Sequence, residues 1–331
     1  MNQNKIFNNR IALIDNIRGL LVLAFIFLHV YVDNTDFRGP EWLVHNGKVA
    51  DIPIMNFANV SVMDFGPTSF FFVIGLTVFL SFSKRIERSG KKAAYSRYLL
   101  RNAVLFSACK IILFIKSNVT EGEFIDWDNI SSIAFTGFLL MLFMFDFIRN
   151  KPYVRLVLGA IVLVLYHVLK EPLQFLSGAK GGIYGCLGYL GIVLVSSFIV
   201  DLARESLLKH AIFSFILFII AWLVNTNIGK PVFSEYNMPY MVMSIFALNS
   251  VYFIFSVIDK LFLKGREIPI LAPLGKSLIF FLYLTFIIDA IFYYIPEPLT
   301  RTQVFIVEAI LIPIYLLIGY FLGKKRIIIK L

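Results

Sequence analysis

Near the start of the chain stand residues whose types and spacing could carry chemistry. Arg10, Asp15, Arg18 and His29 fall within the run RIALIDNIRGLLVLAFIFLH. An imidazole titrates near neutral pH. It can take a proton from a hydroxyl or amine, or attack a carbonyl itself. A nearby carboxylate can orient that imidazole, and arginine forks suit phosphate. Further along come His45, Asp64, the pair Lys84 and Arg85, and the pair Trp127 and Asp128. Together these supply a base or nucleophile, orienting acids and anion-binding cations. They include no set of residues at metal-ligand spacing.

The elements that must position these residues are hydrophobic. Of 331 residues 59% are hydrophobic and 16% charged, and the mean hydropathy is +0.80. Soluble domains run at roughly 45–50% apolar and about 25% charged. The composition therefore implies an all-α, polytopic integral membrane protein and excludes a soluble enzyme with one anchor. Apolar windows of bilayer-spanning length, roughly 17–25 residues, occur at about 12–32, 65–83, 99–116, 130–148, 153–169, 184–202, 211–226, 239–262, 274–296 and 303–323. No long polar insertion separates them. One integral membrane domain over 1–331 is expected, with short cytoplasmic tails at 1–9 and 324–331. The first window ends in His-Val-Tyr-Val-Asp without a small-x-small site, so it reads as a span and not as a cleaved signal. Cys109 and Cys186 lie in predicted spans and read as reduced packing residues.

Lysine and arginine alternate between the loops. One side carries 23 and the other 7, with Lys110 inside a span. The positive-inside rule then places both termini in the cytoplasm, which agrees with an even number of spans. The net charge of +10 suits anionic lipid headgroups and an anionic cytoplasmic co-substrate. Nucleic acid is not expected, because no soluble basic domain exists to hold it. Glycines 182, 185, 188 and 191 recur every three residues and predict close helix packing.

Helical phase relates the first residues. Positions 18 and 29 are eleven apart, which leaves Arg18 and His29 about 20° from each other around the helix and roughly 16 Å apart along it. Asp15 and Arg18 are three apart and can pair on the same face. One stripe thus carries an ion pair toward the cytoplasm and an imidazole toward the outside.

Arg10, Asp15, Arg18-Gly19 and His29 resemble, spacing for spacing, the opening pattern of the acyltransferase-three membrane family. They also resemble that of the related heparan-alpha-glucosaminide N-acetyltransferase-like family. His45-Asn46-Gly47, Asp64, the run GPTSFFFVIGLTVFLSFSKR and Trp127-Asp128-Asn129-Ile130 are more similar to the second branch. Leu274-Gly275-Lys276-Ser277-Leu278 looks like the start of a late span found in both. Phe281 and Leu284 stand where late spans often carry Tyr-x-x-His.

The resemblance implies transfer of an acyl group, usually acetyl, from acyl-CoA to a hydroxyl or amine of a glycan or glycolipid. Acyl-CoA is then a co-substrate and not a tightly bound cofactor. It implies His45 or His29 as base or acyl carrier; the branches differ on which, and this chain has both. Asp64 would be the orienting carboxylate. Arg10, Asp15, Arg18, Lys84 and Arg85 would lie on the CoA side, and Trp127 and Asp128 on the acceptor side. A multi-pass protein of a bacterial plasma (inner) membrane is expected, with homo-oligomerisation open. A transporter or flippase is the alternative. It would predict an inverted repeat, and the segment 10–29 has no counterpart in the second half.

Overall fold

The computed structural model describes residues 3–27, 51–52, 55–56, 60–61, 63–120, 127–176, 181–292, 300–325 and 327. Helices dominate, as the composition predicts. They are Gln3–Phe27 (α1), Gly66–Ser89 (α2), Lys91–Thr120 (α3), Asn129–Leu140 (α4), Asp146–Arg149 (α5) and Pro152–Val168 (α6). Gly182–Glu205 (α7), Leu207–Asn227 (α8), Met238–Ile258 (α9), Leu271–Lys276 (α10), Leu278–Phe292 (α11) and Arg301–Lys324 (α12) follow. Asp51–Ile52 and Met55–Asn56 add a two-residue antiparallel ladder.

Among the described residues the predicted apolar windows fall mainly on helix; residues 28–32 and 293–296 of two windows lie outside the described residues. Gly66–Ser89, Gly182–Glu205, Leu207–Asn227, Met238–Leu263 and Phe305–Lys324 are long and apolar enough to cross a membrane. Two windows are interrupted. Residues 130–148 divide into α4, a 3-10 turn Met141–Phe143 and the short α5. Residues 274–296 break at Ser277, between α10 and α11.

Local sequence sets the helix ends. Pro67 and Pro152 sit in the first turns of α2 and α6, where a missing N–H costs nothing. Asp128 and Ser206 cap α4 and α8 by accepting from the N–H groups of Ser131 and Lys209. Thr300 and Gln303 form a capping box on α12. Gly90, at φ 79°, turns the chain out of α2.

Contacts divide the chain into two compact units, residues 41–253 and residues 1–40 with 254–331. In the first unit α7 is the core. It packs against α2, α4, α6 and α8, and most of its side chains are buried on every face. Two glycines of the predicted stripe perform close packing: Gly188 meets Met241 and Tyr166, and Gly191 meets Leu163. On α2, Gly75 lies against Val193 and Ser196 of α7.

In the second unit α1 crosses α10, and α11 and α12 pack around them. Val22, Ile26, Leu274, Phe281 and Tyr315 form the core. Two glycines allow the crossing. A Cβ on Gly19 would strike the Leu271 backbone, and one on Gly275 would strike the Asp15 carbonyl. Gly275→Ala should therefore lower the thermal midpoint of the purified protein in detergent, consistent with an overpacking penalty of about 1–3 kcal/mol. Gly66→Ala, whose Cβ would meet nothing within 4 Å, should leave the midpoint unchanged.

Candidate functional site

Asp15, Asn16, Arg18 and Gly19 of α1 each meet a partner. The Arg18 Nη1 donates to Asp15 Oδ1 at 3.4 Å, the pairing predicted from their spacing. Asp15 is buried, so an opposite charge is needed to offset its lost hydration. The Asn16 amide clamps a distant segment at two points. Its Nδ2 donates to the Arg266 carbonyl at 3.2 Å, and its Oδ1 accepts from the Ile268 N–H at 2.9 Å. Lys276, bonded to Glu267 at 2.6 and 2.7 Å, adds a second positive field at Asp15, which Glu267 opposes. The Arg18-Gly19 and Leu274-Gly275-Lys276 elements thus meet in one contact. Arg10 lies within α1, with its side chain outside the described residues. His29 lies outside the described residues, and so does His45.

Asp64 occupies a second cluster, in the unit 41–253. Its residue is fully buried, just before α2 in a 3-10 turn. The Ser61 N–H donates to Oδ2 at 2.7 Å, and the Asp64 N–H returns to the Ser61 Oγ at 3.3 Å. These reciprocal bonds hold the carboxylate in place. The Tyr240 hydroxyl donates to the Asp64 carbonyl at 2.6 Å. Tyr240 begins α9, where Asn237 fixes the start of the helix: its Oδ1 accepts from the N–H groups of Tyr240 and Val232 at 3.0 and 3.1 Å.

A chain of phenols leads away from this aspartate through Tyr240 and Tyr236. Tyr236 and Tyr240 rings are 5.7 Å apart, and Tyr189 stacks on Phe71 at 3.9 Å. Tyr166 donates its hydroxyl to the Tyr236 carbonyl, and Tyr184 donates to the Tyr166 carbonyl. Tyr236 is held at φ 47°, a left-handed conformation that is uncommon for a bulky residue. Burial pushes its phenol pKa up, and the Asp64 charge adds to the rise, so the hydroxyl stays protonated.

Trp127 and Asp128 have clear local partners. Asp128 Oδ1 accepts from the Ser131 N–H at 2.7 Å and from the Cys109 thiol at 3.0 Å. The Trp127 indole donates to Ser132 Oγ at 2.8 Å. Lys110 lies over the Trp127 ring at 5.1 Å, which gives this cation a π-face. Lys84 and Arg85 lie toward the end of α2. Arg88 and Arg204 act on Lys84 as like charges, with Glu87 opposing them. Cys109 and Cys186 are free and buried, as predicted.

A family model described as heparan-alpha-glucosaminide N-acetyltransferase, catalytic, matches residues 10–179. The chain belongs to this acetyltransferase family. All of the residues picked out from the sequence as site candidates fall inside the matched span. No curated protein matches the chain. Family membership and the apolar helices together make the protein a membrane acetyltransferase in class.

Several residues of this acetyltransferase were not picked out from the sequence. Tyr240 meets Asp64 across 176 positions, and no spacing rule links residues so far apart. His210 is buried in α8, where Nε2 lies 2.9 Å from Asn249 Oδ1. Asn249 donates onward to Ser214 Oγ at 2.8 Å, which closes a clamp between α8 and α9. Glu308 is buried in α12. Its signal was present as an acid inside an apolar window.

Asp128 is first of all a helix cap in this geometry. Asp128→Ala should destabilise the protein by about 0.5–2 kcal/mol, and Asp128→Asn, which can still accept from the Ser131 N–H, should restore most of that. Denaturant midpoints of the two variants in micelles would check this; equal losses would contradict the capping role.

Proposed function

We propose that the protein moves an acetyl group from cytoplasmic acetyl-CoA to a hydroxyl or amine on an extracytoplasmic glycan or glycolipid. The observation that carries this reading is the family match over 10–179, which contains all the candidate chemical groups. Ten spans with both termini in the cytoplasm are part of the proposal, supported by the 23-to-7 division of lysine and arginine. So are one integral membrane domain over residues 1–331 and a location in a bacterial plasma membrane.

The chemistry balances without an added oxidant or reductant. A histidine, His45 or His29, removes the proton from the acceptor. The acceptor oxygen or nitrogen bonds to the thioester carbonyl carbon, the C–S bond breaks, and the CoA thiolate leaves with a proton. In a two-step version the imidazole first takes the acetyl group and then passes it on. Asp64 is proposed to orient the imidazole and to stabilise its charged form. Its burial and its bond from the Ser61 N–H support a fixed carboxylate, and the strained Tyr236 beside it is the kind of outlier that collects at functional sites. Arg10, Asp15 and Arg18, with Lys84 and Arg85, are proposed for the CoA side. Trp127 and Asp128 are proposed for the acceptor side, Asp128 in addition to its capping bond. Membrane lipids and a second copy of the chain are further proposed partners.

Purified His29→Ala and His45→Ala should each remain folded, and at least one of them should lose acetyl transfer from acetyl-CoA. Release of free CoA thiol, followed colorimetrically with a glycolipid acceptor, measures this. Full turnover by both variants would overturn the assignment of the base. Asp64→Asn, which can still accept from the Ser61 N–H, should keep its thermal midpoint while its turnover falls by about 10²-fold or more.

A further inference from the structure

A cleft of about 480 Å³ opens between the start of α6 and the end of α7, within the unit 41–253. That volume is in the range of small-molecule sites, about 300–1,000 Å³. Arg149, Arg155, Arg204 and Tyr153 line it, together with Asp201 and Glu205.

These arginines differ from solvated loop cations. The Arg149 side chain is only 10% exposed and the Arg155 side chain 3%. Arg149 pairs with Asp146 at 2.6 Å through Nη2, yet its Nε and Nη1 have no hydrogen-bond partner among the described residues. Arg155 pairs with Asp201 and donates to the Ser197 carbonyl at 3.1 Å, and its Nε has no such partner either. Buried donors left unmet are destabilising, so each calls for an explanation.

The carboxylates do not balance the cations. Asp146 is shared by Lys91 and Arg149, Asp201 by Arg155 and Arg204, and Glu205 pairs with Lys209. In these ion pairs of the described residues, five cations share three carboxylates. Lys84 adds a further positive charge near Arg204, with Glu87 opposing it. An anion with several acceptor oxygens would meet the charge excess, and the arginines that line the cleft would supply its donors.

We infer that this cleft binds a phosphate group. Guanidinium forks match phosphate oxygens in pairs. Two sources carry that chemistry on the Lys- and Arg-rich side of the chain: the adenosine 3′,5′-bisphosphate end of an acyl-CoA, and an anionic phospholipid headgroup. Tyr153, 64% exposed beside Phe198, offers an aromatic face to a nucleotide base. The nucleotide source rests on the transferase proposal; the lipid source does not.

Calorimetric titration of the full chain in neutral detergent tests this. The probes are adenosine 3′,5′-bisphosphate and dioctanoyl phosphatidylglycerol. Arg149→Gln removes two of the unmet donors, and Asn150→Glu places a like charge at an exposed position on the cleft wall. At least one probe should bind the parent protein, and each variant should weaken it tenfold or more. Loss for the bisphosphate alone assigns the cleft to a nucleotide, loss for the lipid alone assigns it to a headgroup, and loss for both assigns it to phosphate in common. If Arg149→Gln does not fold, Asn150→Glu alone decides. No binding of either probe at millimolar concentration, or binding unchanged in the folded variants, overturns the inference. Bisphosphate binding without any acetyl-CoA turnover would leave the cleft standing and sink the transferase proposal.

Discussion

An ionised side chain inside an apolar bundle must find an opposite charge or a set of dipoles, because no water is there to solvate it. That constraint accounts for much of the polar structure in both units. Asp15 is buried against Arg18. Asp201 is shared between Arg155 and Arg204. Asp128 is held by a helix N-terminus and a thiol, and Asp64 by the backbone of its own turn. Lys110 is met by aromatic faces. Each solution is local to one or two helices, so each fixes a helix end or a helix pair as a by-product of holding its charge.

The same economy governs close backbone approach. The apolar surface of a membrane helix gives no preference for one neighbour over another, so packing detail decides. Around α7 that detail is glycine meeting a large side chain, as with Gly191 and Leu163, or backbone, as with Gly75 and Val193. In the other unit it is Gly19 against Leu271 and Gly275 against Asp15. The Arg-Gly pair that marks the family opening therefore joins a charge requirement and a steric one: Arg18 neutralises Asp15, and Gly19 lets α10 come close enough to cover it.

Features with short sequence range were legible from the chain alone. The helical windows, the Asp15–Arg18 pair, the glycine stripe of α7 and the free cysteines all follow from periodicity or from spacings of one or two turns. Contacts between distant segments were not. Tyr240 on Asp64, Asn16 on residues 266 and 268, and Arg155 on Asp201 join segments whose patterns announce burial without naming a partner. Apolar periodicity specifies which face is hidden, and many partners satisfy the same face. The breaks at 141–146 and at Ser277 were also missed: Asp146 and Gly275-Lys276-Ser277 mark them, but each lies in a window apolar enough on average to read as one span.

A family pattern selects residues without saying what for. Arg18, Gly19, Asp64, Trp127 and Asp128 all lie in the matched span, and all have structural partners that would alone justify their presence. A structural role does not compete with a chemical one here. An orienting carboxylate must itself be immobile, and the Ser61 turn that buries Asp64 also supplies that immobility. The test of chemistry is therefore a substitution that keeps the bond and removes the charge. At Asp64 and Asp128 asparagine does this, because the carboxylate oxygen that accepts from a backbone N–H can be replaced by an amide oxygen in the same place. At Asp15 it does not, since the partner is a cation: an amide there would leave Arg18 buried beside a neutral group, and stability and activity would fall together. The capped and turn-held aspartates are accordingly the positions where fold and function can be separated, and the salt-bridged one is where they cannot.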